Sequence, residues 1–227
     1  GTGESDPPID CIDDYDRFFT ATDSTPADDA GKQALIDTAE EFADACAENN
    51  PTLSFVGTNN SARDIDTIRR ALGEEKITFF GFSYGSELGA TWATLFPDTV
   101  RAAVLDGAAD PEADPIESSL QQLGGFEASL TTFLAQCSAD PECEYHNGGD
   151  AEAAFDALMV KLDAEPIVAG EGRPPVNRDV ALGGAVQAMY SDDYWPSLAQ
   201  SLAAAETGDG SGLLELFDSY YQRSSDG

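Results

Sequence analysis

A serine hydroxyl does covalent chemistry only when the backbone presents it and a base takes its proton. Ser83 stands in Gly81-Phe82-Ser83-Tyr84-Gly85, a G-x-S-x-G spacing. Before it runs Lys76-Ile77-Thr78-Phe79-Phe80, β-branched and aromatic as a buried strand requires. After it, residues 86–95 are mostly apolar or small and read as a helix. A strand that turns into a helix within so few residues strains its backbone, and a side chain at position 81 or 85 would clash with neighbouring elements. Glycine relieves both contacts and leaves the Ser83 hydroxyl exposed at the strand tip. The Tyr84 N–H then lies at a helix N-terminus, where it can help hold an oxyanion. The bland alternative is a tight turn with an idle serine. The strand before the motif and the helix after it favour the nucleophile.

An acyl-transfer serine also needs a base, an acid that orients the base, and a second oxyanion donor. The only histidine, His146, falls in the turn-rich stretch from Cys143 to Asp150 and reads as a solvated loop residue. Asp106, at the tip of the next strand, is the one local candidate for the acid. It reads better as a strand-end aspartate that caps the following turn. No Gly-rich loop precedes Ser83 to supply the second donor. The residues therefore give a nucleophile and one oxyanion donor, without the base, the second donor or a good acid.

The elements that must position Ser83 follow from pattern. Residues 1–24 carry Gly, Asp, Pro and Ser without a period and read as irregular. Thr25-Pro26-Ala27-Asp28 reads as a helix start with a threonine cap. The helix that follows places Leu35, Ile36, Ala39, Phe42, Ala43 and Cys46 on one buried face, and Asn49-Asn50-Pro51 stops it. A second helix is expected over 61–72, ended by Gly73. The strand at Lys76, the elbow helix and a strand over 100–105 complete a right-handed parallel α/β unit. Beyond Gly107 no strand is expected. Helical patterns lie near 116–136, 151–163, 177–190, 196–206 and 211–221. The fold class is thus α/β: a partial core of parallel strands with flanking helices over 1–110, and an all-helical layer over 111–227.

Composition narrows the function. The 227 residues hold 43 acidic and 11 basic side chains, a formal net charge of −32. No basic patch can be assembled, so nucleic acid and acidic membranes are excluded as partners. The acids interleave with apolar residues on helical patterns and form a solvated surface, whose self-repulsion needs screening. A salt-rich habitat would supply it; an ordinary acidic secreted protein is the alternative. No apolar run approaches a membrane span. The sequence opens without an initiator methionine or a signal peptide, so we expect it to start inside a longer protein. Four cysteines permit three connectivities. We choose Cys137–Cys143 as a local staple and Cys11–Cys46 as a tie from the N-terminal loop to a helix. Disulfides imply export. With one histidine and no C-x-x-C, a zinc site is a poor rival, and neither a metal nor a cofactor is expected.

Several stretches carry a resemblance. Asn60-Ser61-Ala62-Arg63-Asp64-Ile65-Asp66, Ile68-Arg69, Ala71-Leu72-Gly73, the Gly81–Gly85 motif, Leu95-Phe96-Pro97-Asp98-Thr99-Val100 and Val104-Leu105-Asp106-Gly107-Ala108-Ala109-Asp110-Pro111 are similar to the tripeptidyl aminopeptidase branch of the α/β-hydrolase fold. These are secreted serine exopeptidases related to prolyl aminopeptidases. Gly1-Thr2-Gly3-Glu4-Ser5 resembles the tail of the family's Arg-Gly-x-Gly-x-Ser loop. Cys11 and Cys46 fall where the family often pairs cysteines. Cys137, Cys143, Leu162-Asp163-Ala164-Glu165-Pro166 and Trp195-Pro196-Ser197-Leu198-Ala199 resemble its helical cap. The resemblance implies that the oxyanion loop precedes Gly1 and that the triad aspartate and histidine follow Gly227; His146 comes too early in that order. It further implies a peptide with a free N-terminus as substrate, its amine held by cap carboxylates. Glu87 departs from the family, which usually has an aromatic or small residue there.

The expectation is a secreted serine exopeptidase whose nucleophile, Ser83, and one donor, Tyr84, lie in this chain. The isolated chain is then expected to be inactive, with sticky strand edges. An esterase on the same scaffold is the nearest rival. A non-catalytic binding or assembly module is the rival of another class.

Overall fold

The computed structural model describes residues 5–108, 110 and 112–223. Of the expected N-terminal loop, residues 1–4 lie outside them, as do Ala109 and Pro111 of the family-like stretch. Two compact units are drawn from the chain: one from Gly1–Cys11 and Ala43–Ser118, the other from Ile12–Phe42 and Ser119–Gly227. This differs from a boundary at residue 110 in two respects. The last boundary falls at residue 118, and residues 12–42 group with the helical unit.

The first unit carries the only strands of the described residues. Helix α3 (Thr58–Ala71) leads into β1 (Ile77–Phe82), helix α4 (Tyr84–Leu95) and β2 (Val100–Asp106). The α3 terminus closes as expected at Gly73, with Gly73 N donating to Arg70 O and Glu74 N to Arg69 O. The two strands pair in parallel, with Gly81 opposite Leu105 and Phe82 opposite Asp106. Helix α4 covers one face: Trp92 is fully buried, with its ring 5.8 Å from that of Phe79. The other face is bare. Phe80 and Phe82 are 56% and 63% exposed, and β2 is exposed along nearly its whole length. The composition expected of a buried strand is present, but among the described residues only one side of the sheet is covered. A disulfide joins Cys11 to Cys46 in this unit.

The second unit is helical. Helix α1 (Tyr15–Phe19), a stretch expected to be irregular, starts at Asp14, whose carboxylate accepts from Arg17 N. Helix α2 (Asp29–Asn49) begins three residues later than a cap at Thr25 suggested. Asp28 caps it, accepting from Gly31 N at 2.8 Å, while Thr25 N turns back onto Asp23. No α2 residue is fully buried, contrary to the expected buried face. Within this unit Phe42 packs against the rings of Phe18 and Phe19, and Glu41 pairs with Arg17; residues 43–49 of the helix, with Cys46, fall in the first unit.

The long helix α5 (Pro115–Ala139) precedes α6 (Ala151–Ala164), α7 (Arg178–Ala188), α8 (Trp195–Glu206) and α9 (Ser211–Tyr221). Side-chain caps at Asp114, Asp150 and Asn177 open α5, α6 and α7. The core gathers Phe133, Leu158, Leu162, Val180, Leu202 and Leu213 among others. Helices α7 and α9 come close because position 184 is glycine: an added Cβ would stand 2.6 Å from Leu213 O. The second disulfide, Cys137–Cys143, closes the turn after α5.

Residues 12–42 belong here for identifiable reasons. Ser24 N and Oγ both donate to the Asp179 carboxylate at 2.7 Å, and Asn177 Nδ2 donates to Thr20 O. Arg223 pairs with Asp16 and Asp218, and Arg173 pairs with Asp218.

Candidate active site

Ser83 joins β1 to α4 with φ +50° and ψ −121°, a conformation that non-glycine residues adopt rarely. It is exposed and occupies the N-cap position of α4, yet its side chain makes no capping bond. Among the described residues Ser83 Oγ has no hydrogen-bond partner. A serine at a helix start ordinarily spends its oxygen on a backbone N–H; here the strained backbone turns it away.

The two glycines of the motif serve differently. A Cβ on Gly81 would lie 2.3 Å from Gly85 O and 2.6 Å from Phe79 Cε1, so only glycine lets β1 pass beneath the turn. A Cβ on Gly85 would meet nothing within 4 Å among the described residues. The clash expected at 85 is therefore absent among the described residues.

The backbone around Ser83 is fixed on both sides. Ser83 N donates to Asp106 O at 2.9 Å, extending the strand pairing by one residue. Ser83 O accepts from Ser86 N at 2.8 Å and from Ser86 Oγ at 2.6 Å. Ser86 is fully buried, and its hydroxyl also lies 3.5 Å from Gly107 O. Nothing in the sequence pattern marked Ser86; a small polar residue one turn into an apolar helix was the available signal. Tyr84 opens α4, where no carbonyl four residues back can take its N–H. Its phenol shares a 2.9 Å hydrogen bond with Thr58 Oγ at the start of α3.

Of the other sequence candidates, Asp106 is brought beside Ser83 through its backbone only. Its exposed carboxylate makes no hydrogen bond among the described residues, so it does not cap the following turn. Glu87 sits half-buried in the first turn of α4, where the helix dipole favours an acid. His146 belongs to the helical unit. It is partly covered rather than solvated, and its Nδ1 is buried with no hydrogen-bond partner among the described residues. The cysteines pair as chosen.

Among the described residues the geometry leaves the Ser83 hydroxyl uncommitted beside the first backbone N–H of α4. Comparison with known proteins gives this arrangement its context. The α/β-hydrolase fold family matches residues 1–146. Serine protease Hip1 of Mycobacterium tuberculosis is 34% identical over 239 residues, covering 100% of this chain and 46% of that protein. A tripeptidyl aminopeptidase of Streptomyces lividans is 34% identical over 230 residues, 95% of this chain and 40% of that enzyme. Carboxylesterase B of M. tuberculosis is also 34% identical, over 237 residues, 100% of this chain and 44% of that protein. The chain thus spans less than half the length of these relatives. It belongs to the α/β-hydrolase fold family, and its similarity runs to serine proteases and tripeptidyl aminopeptidases of that fold.

Proposed function

We propose that this chain carries the nucleophile of a serine hydrolase that removes short peptides from the free N-terminus of larger ones. The observation that supports this most is Ser83 itself: a strained strand–helix junction that leaves its hydroxyl uncommitted beside the first N–H of α4. In this reading Ser83 Oγ attacks the scissile carbonyl carbon while its proton passes to a base. The oxygen that gains charge is held by Tyr84 N–H and a second donor. Collapse of the intermediate expels the amine, which takes the proton, and water then releases the acyl group from Ser83.

The base, its orienting acid and the second donor come from residues outside these 227. The one histidine in the sequence is His146 of the helical unit, and Asp106 remains the weaker local choice for the acid. The helical layer, residues 111–227 as read from the sequence, acts as the cap that restricts entry to chain ends. Its carboxylates hold the substrate amine. Two disulfides favour an extracellular or cell-envelope location. Among the described residues no helix is long and apolar enough to cross a membrane. The acidic surface fits a salt-adapted source.

The similarity to a carboxylesterase at the same identity supports a second reading, an esterase on the same scaffold. A substrate panel separates the two. The peptidase reading expects the intact gene product to cleave a tripeptide anilide with a free amine, to lose that activity by at least about a thousandfold on Ser83→Ala, and to reject the N-acetylated substrate. Turnover of short acyl esters without peptide cleavage would favour the esterase. Peptide cleavage unaffected by Ser83→Ala would overturn both.

A further inference from the structure

The peptide group between Ser83 and Tyr84 has two ends. Its N–H is the donor assigned to the oxyanion, and its C=O points the opposite way because the peptide is planar and trans. That carbonyl is clamped twice by one residue: Ser86 N at 2.8 Å and Ser86 Oγ at 2.6 Å. Ser86 is fully buried. The hydroxyl lies 2.6 Å from Ser83 O and farther, 3.5 Å, from Gly107 O. The other side of Ser83 is fixed by its N–H bond to Asp106 O. The plane that carries Tyr84 N–H therefore has little freedom to rotate. An amide that accepts two hydrogen bonds on its oxygen is also polarised, and its N–H becomes a stronger donor.

We propose that Ser86 is a positioning residue for the oxyanion site: its hydroxyl and N–H orient and polarise the Ser83–Tyr84 peptide so that Tyr84 N–H holds the developing charge. This rests on the reading of Ser83 as nucleophile. The alternative is that Ser86 is simply a small residue fitted beneath the elbow. The two differ in what they predict for the transition state. A packing role lowers stability and the fraction of active protein. An oxyanion role lowers turnover per active site and leaves substrate affinity alone.

The test uses the intact gene product, with active sites counted by fluorophosphonate titration. Ser86→Ala should lower kcat per titrated site about tenfold, a fraction of the 10²–10³ lost with a whole oxyanion donor. KM should stay within about twofold. A peptidyl trifluoromethyl ketone, whose adduct places an oxyanion on the same donor, should bind more weakly by the same factor as kcat falls. Ser86→Cys nearly preserves the volume with a weaker donor and should fall between; it decides the matter if Ser86→Ala does not fold. Parental kcat per site in the variant that folds, or a fall in kcat with unchanged ketone affinity, would overturn the proposal. Labelling or turnover that survives Ser83→Ala would instead remove the serine reading beneath it, a result separate from a silent Ser86 variant.

Discussion

At the scale of single residues, the elbow depends on one glycine far more than on the other. Gly81→Ala would drive a methyl group into the Gly85 carbonyl, which is backbone and cannot swing aside. It should destabilise the protein by at least about 2 kcal/mol, as overpacking does. Gly85→Ala has open space among the described residues. On the first turn of a helix it should leave stability unchanged or raise it by up to about 1 kcal/mol. Urea unfolding of both variants checks this. Equal losses at the two positions would mean that Gly85 is crowded by something outside the described residues. The contrast also bears on how the motif is read. G-x-S-x-G names both glycines alike, while their surroundings assign the steric need to the first.

At the scale of elements, most helices announced themselves through caps and apolar spacing, and α6, α8 and α9 lie within a residue of their expected limits. Two features were not legible. Helix α1 is only five residues long, too short to show a period, and is held by one aspartate cap. The start of α2 was read at Thr25 because Thr-Pro-Ala-Asp resembles a capping sequence, but Asp28 is the better acceptor and took the role. The partners of Ser83 at Ser86 and Asp106 depend on backbone geometry that spacing alone does not give. The turn before α9 also sets an acid-side limit. Asp209, just ahead of α9, has its pKa lowered by the side-chain and backbone hydrogen bonds from Ser211. A carboxylate lowered in the folded state contributes stability above its unfolded pKa, about 3.9. That contribution disappears as pH falls through the lower folded value. Asp209→Ala should therefore melt below the parent at pH 6, and the gap should shrink as pH falls below about 4. A gap that is unchanged between about pH 6 and about pH 2.5 would show that ionised Asp209 is not its source.

At the scale of the whole molecule, a net charge of −32 on 227 residues dominates. Raising NaCl from 0.1 to 1 M shortens the screening length from about 10 to about 3 Å. Self-repulsion should fall accordingly, and Tm should rise by at least about 5 °C. A Tm that does not move would mean that the acids are tolerated without screening. The bare face of the sheet, with Phe80 and Phe82 exposed, gives the isolated chain a reason to self-associate that added salt should strengthen. Placing the proposed nucleophile on such a partly covered sheet ties the central claim to the intact gene product, where the most direct measurement is covalent labelling. A fluorescent fluorophosphonate applied to the native protein, followed by peptide mapping, should place the tag on Ser83 alone and lose it in Ser83→Ala. A protein that is folded and unlabelled, or labelled at another residue, would contradict the account.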